Sequence, residues 1–203
     1  MIHYILSSRR TLYFLLFAWM CNIVFSYFIL PPSDDGRFYF EPALSLLYKK
    51  QVGYFYGDQF VCKFTMFPTF SFFQSLFLYI TSLINVPVNL YTYKLFHALS
   101  IMSLLLLSGF FIYLLHIKHK TDYITNYNLF LILLGITPFA QNCLQLRPEI
   151  IGNMLIVLGL IFYRLWDISQ GRKLFYYYSS AIYLGLSIAL HPNFTIASGI
   201  LIF

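Results

Sequence analysis

Carboxylates and cations are scarce in this chain, so the few present stand out. Asp34 and Asp35 are adjacent and follow Pro31–Pro32, where the first apolar run ends. Two neighbouring carboxylates at a bilayer surface repel each other and lose part of their hydration. Both effects favour keeping a proton on one of them, which suits a general base or a cation site. The same pair also reads as a solvated loop that stops the first helix, because exposed loop carboxylates mostly solubilise. Arg147, Pro148 and Glu149 lie between two apolar runs with almost no polar spacer. Ionisable groups at such a place are expensive and point to function. Their plainer reading is a helix start: proline suits the first turn, and Glu149 suits the positive end of the helix dipole. Lys63, with Lys49 and Lys50 nearby, could hold a lipid phosphate or simply snorkel to water. His191, before Pro192, could donate to a phosphate or cap a span.

The elements that must position these groups are apolar. Hydrophobic residues make up 60% of the 203 residues and charged residues 10%, whereas soluble domains carry about 25% charged residues. A soluble fold is therefore excluded. Within lipid every backbone amide needs a partner, so the runs must be helices or closed barrels. The runs are continuous rather than alternating, which selects helices. The expected fold class is all-α, a polytopic transmembrane bundle. The strong runs are 11–30, 66–84, 92–115, 126–143, 149–166, 174–190 and 193 to the end. The last run is about half the length of a span, so the chain reads as a single transmembrane domain, 1–203, truncated at its C-terminus.

Orientation depends on 66–84. If it spans, Lys118–Lys120 and the cluster Arg164, Arg172 and Lys173 face outward, against the positive-inside rule. If it is re-entrant or interfacial, both clusters join Arg9 and Arg10 in the cytoplasm. Pro68, Thr65, Thr69, Ser71 and Gln74 make it the least lipid-like run, which favours the second arrangement. Residues 31–91 then form one large outer-face loop with juxtamembrane helices, the first amphipathic and starting near Pro42. The net charge of +6 marks orientation, and no nucleic-acid partner is expected. Cys21, Cys62 and Cys143 form no disulfide or metal pattern. His3, His97, His116 and His119 read as ordinary interfacial residues.

The order of these features resembles the GT-C superfamily of polytopic glycosyltransferases. The similarity is to the branch with protein O-mannosyltransferases and the bacterial lipid A aminoarabinose transferase. It rests on Asp34-Asp35-Gly36-Arg37 after the first span, Lys63 before Phe67-Pro68, and Arg147-Pro148-Glu149 opening a helix. Asp35 stands where the family usually has glutamate, and the proline that usually neighbours the one matching Pro68 is missing. The resemblance implies an inverting transfer of a sugar from a polyprenyl-phosphate donor on the non-cytoplasmic face. The acceptor would be a hydroxyl of a lipid, glycan or protein. It implies that Asp34, with Asp35, serves as base, that Lys63, Arg147, His191 and Arg37 bind the donor phosphate, and that Glu149 orients the acceptor. No cofactor is called for, and a divalent cation is left open. The alternatives are a transporter-like membrane protein, or a truncated non-catalytic remnant of a transferase. Transporters favour ionisable groups near the midplane on broken helices, whereas the acids here gather at one surface. The expected location is a bacterial inner membrane, with the chain crossing several times and its N-terminus in the cytoplasm.

Overall fold

A computed structural model describes residues 5–29, 34–51, 53–56, 59–61, 68–136 and 149–190. Within them the protein is a helical bundle of seven helices and one small hairpin. The helices are α1 (Arg9–Phe28), α2 (Asp34–Lys49), α3 (Pro68–Leu83), α4 (Leu90–His119), α5 (Tyr123–Ile136), α6 (Glu149–Ile168) and α7 (Leu174–Leu190). Strands β1 (Tyr54–Tyr56) and β2 (Gln59–Val61) pair antiparallel between α2 and α3.

Helices α1, α4 and α6 are each long and apolar enough to cross a membrane. At about 1.5 Å of rise per residue, twenty residues cover the roughly 30 Å of a hydrocarbon core. Local chemistry fixes the ends. The Ser8 hydroxyl accepts from the Arg10 amide at the start of α1, and Asn89 Oδ1 accepts from the Thr92 amide at the start of α4. Asp122 Oδ1 accepts from the Ile124 and Thr125 amides as α5 begins. These are N-caps that satisfy orphan helix donors. Between α6 and α7, Gly171 takes a left-handed φ of 76° and donates its amide to Trp166 O, a glycine-dependent helix stop.

Outward faces suit lipid. On α1, Tyr13, Phe14, Phe17 and Phe28 are exposed, and of its residues just Trp19 and Ile23 are buried. So large an apolar surface is stable only against hydrocarbon or another helix. Inside, one cluster joins α1, α4, α5 and the start of α6 through Trp19, Ile23, Ile101, Leu105, Tyr127, Leu131 and Ile150. A second joins α3, α4, α6 and α7 through Phe70, Tyr93, Ile151, Leu155 and Leu190. Helices α6 and α7 meet at Gly159, where Ser180 Oγ donates to the Gly159 carbonyl at 2.8 Å. Small residues at such a crossing let two backbones approach closely.

Hydrogen bonds fix helix direction. Asn128 Nδ2 donates to Leu6 O at 2.6 Å and Ser8 O at 3.2 Å, so α1 and α5 start at the same end. Lys94 Nζ donates to Tyr27 O at 3.1 Å, so α1 finishes where α4 begins. Lys118 Nζ meets Asp167 Oδ2 at 2.6 Å, so α4 and α6 finish together. Arg9, Arg10, Lys118, Lys120, Arg164, Arg172 and Lys173 therefore share one end of the bundle. Leu90, Glu149 and the last turn of α1 occupy the other.

One expectation is corrected, and one element is new. The helix expected near Pro42 begins eight residues earlier, at Asp34, with Pro42 inside it. Proline removes one ladder bond there, but the acidic pair in the first turn favours an earlier start. The hairpin at 54–61 was not expected at all.

A candidate active site at the acidic end of the bundle

The carboxylates singled out in the sequence sit on helix starts. Asp34 and Asp35 form the first turn of α2, and Arg37 follows in the same turn. The acidic pair thus opens a helix rather than lying in a loop. The positive end of the helix dipole favours negative charge at that position. Glu149 opens α6, where the same electrostatics apply, and it is half-buried. Lys63, Arg147 and His191 lie outside the described residues.

Helix α2 is anchored at this same end. Its Phe40 ring packs against Tyr93 with centroids 4.7 Å apart, and Tyr93 is in the first turn of α4. Asp34 is six residues before Phe40, about 9 Å of helical rise. The starts of α2 and α6 therefore lie at one end, opposite the basic cluster, although 115 positions separate Asp34 from Glu149 (149 − 34).

Beneath α2 is a polar group that reading the sequence missed. Gln74 of α3 and Tyr93 and His97 of α4 are almost fully enclosed, at 0%, 0% and 1% exposure. The Gln74 amide nitrogen donates to the Tyr93 hydroxyl at 2.7 Å and lies 3.4 Å from His97 Nε2. Rings surround the imidazole: Phe70, Tyr93 and Phe96 have centroids 6.0, 5.1 and 5.5 Å from it. Gln74 Oε1 and His97 Nδ1 have no hydrogen-bond partner among the described residues. His97 is thus a buried core group, which corrects its interfacial reading. The signal was present in the sequence: Tyr93 and His97 are four residues apart on one helix face, and Gln74 is the one primary amide in 66–84.

These contacts also define how α3 lies. Hydrogen bonds and ring contacts between α3 and α4 join Phe70, Gln74 and Phe77 to Tyr93, Phe96 and His97. A helix running antiparallel along α4 would bring Phe70 opposite residues further down it. Instead α3 crosses the first two turns. Lys94 beside them is buried at 8% exposure and reaches the end of α1.

Among the described residues no three of His, Cys, Asp and Glu are grouped to hold a metal ion. No family model, curated protein or solved structure matches the chain.

Proposed function

We propose that this chain belongs to a membrane glycosyltransferase that moves a sugar from a polyprenyl-phosphate carrier to an acceptor hydroxyl at the non-cytoplasmic face. The observation that carries the reading is the gathering of the α2 and α6 acidic starts at one end of a membrane bundle, with the basic loops at the other. Basic loops favour the cytoplasmic side, so the helix starts that bear the carboxylates belong to the opposite leaflet.

In this reading Asp34 accepts the proton of the acceptor hydroxyl. The acceptor oxygen bonds to the anomeric carbon from the face opposite the carrier, and the bond from that carbon to the phosphate oxygen breaks. The polyprenyl phosphate leaves with the electron pair and configuration inverts. Lys63 and Arg147 neutralise the charge growing on the phosphate, with Arg37 and His191 as further donors. Asp35 supports the base, and Glu149 orients the acceptor. Crossing α3 over the outer turns of α4 supports an interfacial platform on which a lipid-borne donor could lie.

The test is sugar transfer from a labelled polyprenyl-phosphate donor in membranes carrying the intact protein. Asp34→Asn should reduce transfer by about a hundredfold or more, the usual scale for a lost general base, while membrane insertion is unchanged. Equal transfer by inserted Asp34→Asn protein rejects the assignment. One observation favours a transporter-like reading instead, the enclosed Gln74–His97 pair. Its place in the outer two turns of α4, rather than at the midplane, weighs against that alternative.

A further inference from the structure

Helix α1 carries one side chain that hydrocarbon cannot satisfy. Asn22 lies about 20 Å along α1 from Arg9, among apolar residues. It is partly buried, and its amide has no hydrogen-bond partner among the described residues. Lipid chains offer none either, and a polar group without a partner there is costly. Asn22 lines a groove of about 280 Å³ between α1 and α5, together with Leu15, Ala18 and Trp19 of α1 and Leu131 and Gly135 of α5. Trp19 Nε1 donates to Leu131 O at 3.3 Å and ties the two walls together. The floor has room to spare: a methyl group built on Gly135 would meet Trp19 Cζ2 at 3.9 Å, an ordinary contact.

The sequence of α1 lays a seam along the same face. Thr11, Leu15, Ala18, Asn22 and Phe25 follow one another at intervals of four, three, four and three, the heptad spacing of a parallel helix pair. None of the five is buried. Ala18, at the centre, lets a second backbone approach closely. One asparagine in such a seam fixes register and pairing. Its amide both donates and accepts, so a second Asn22 satisfies both functions. The basic end gives every copy the same orientation in the membrane. A two-fold axis along the membrane normal then holds both Asn22 side chains at equal depth. A helix of another protein needs a polar group of its own at that depth, whereas a second copy has it by symmetry.

We propose that the groove between α1 and α5 is a dimer interface, occupied by α1 of a second copy of this chain, with the two Asn22 amides paired across the axis. Leu15, Ala18 and Phe25 pack against their symmetry mates, and Gly135 leaves room beside them. The interface rests on α1 crossing the membrane. It is independent of the sugar-transfer reading, because none of the groove's lining residues belongs to α2 or α6.

The experiment uses the full chain, labelled at its N-terminus with a donor or an acceptor dye and reconstituted in phosphatidylcholine vesicles. Energy transfer is followed as lipid is added to dilute the protein. Wild type should self-associate reversibly, above random proximity, with the linear dependence on acceptor fraction that a dimer gives. Asn22→Ala should weaken association about tenfold, the scale of interhelical hydrogen bonds in a bilayer. Asn22→Gln keeps an amide and should stay closer to wild type than to Asn22→Ala. Phe17→Ala lies off the seam and should associate as wild type. In a chain whose native cysteines are replaced by serine, Ala18→Cys should form a disulfide with its symmetry mate under a mild oxidant, and Phe17→Cys should not. Wild-type transfer no higher than random proximity means that lipid fills the groove and overturns the proposal, and that arm needs no variant to fold. Full association of Asn22→Ala, or cross-linking at position 17 rather than 18, also overturns it.

Discussion

Gly159 provides a quantitative probe of the bundle. A methyl group built on it would lie 2.7 Å from Leu184 Cγ, 2.9 Å from Leu184 Cδ2 and 3.4 Å from the Ser180 carbonyl. Ordinary carbon–carbon contact is about 3.5–4.0 Å, so the overlap is roughly 1 Å. Leu184 cannot easily turn away, being buried at 4% exposure, and the third neighbour is backbone. Overpacking of this kind costs about 1–3 kcal/mol. Alanine returns about 1 kcal/mol through its better helix propensity. Gly159→Ala should therefore destabilise the bundle by about 0–2 kcal/mol in the parent chain. In a Leu184→Ala background the obstacle is gone, and the same substitution should become neutral or stabilising. The coupling in this double-mutant cycle should be about 1–3 kcal/mol, measured by denaturant unfolding in mixed micelles. An identical effect of Gly159→Ala in both backgrounds would refute the close crossing of α6 and α7 at this residue.

Other expectations follow from the hydrogen bonds. Asn128→Leu removes both bonds to the backbone at Leu6 and Ser8 and should cost about 1–3 kcal/mol; an unchanged unfolding midpoint would contradict the shared end of α1 and α5. Joint replacement by Gln74→Leu, Tyr93→Phe and His97→Phe removes both partners of the Gln74–Tyr93 hydrogen bond together with two buried atoms that lack partners. It should leave unfolding free energy unchanged or higher, because removing both polar partners together is often nearly neutral; a loss above about 2 kcal/mol would show that the polar group stabilises the contact of α3 with α4.

How much was legible in the sequence varies with the kind of signal. The apolar runs locate α1, α4, α6 and α7 closely, because lipid forces long uninterrupted hydrophobicity onto helices. Boundaries set by caps were less visible: the run at 92–115 grows to Leu90–His119 once Asn89 caps it and the basic last turn continues it. The start of α2 was misplaced because Pro42 reads as a first-turn residue, whereas the acidic pair eight residues earlier sets the start. Strands β1 and β2 are short and aromatic, and their signal, Gly57–Asp58 between Tyr56 and Gln59, is a hairpin dipeptide easily lost among apolar runs. His97 was misjudged because burial of one polar residue depends on what crosses it, and the crossing of α3 is not written in α4. Asp34 and Glu149 stood out because charge is rare here, and the helix directions carry both starts to one end.

The most direct test of the account is the spacing between those two ends. Spin labels at Asp34→Cys and Glu149→Cys, in a chain whose native cysteines are replaced by serine, report one separation by pulsed electron resonance in nanodiscs. Labels at Asp34→Cys and Asp167→Cys report the other. The second distance should be close to the length of α6, about 30 Å for twenty residues, and the first clearly shorter. Two similar distances, or a longer one to position 149, would contradict a common acidic end and with it the sugar-transfer proposal.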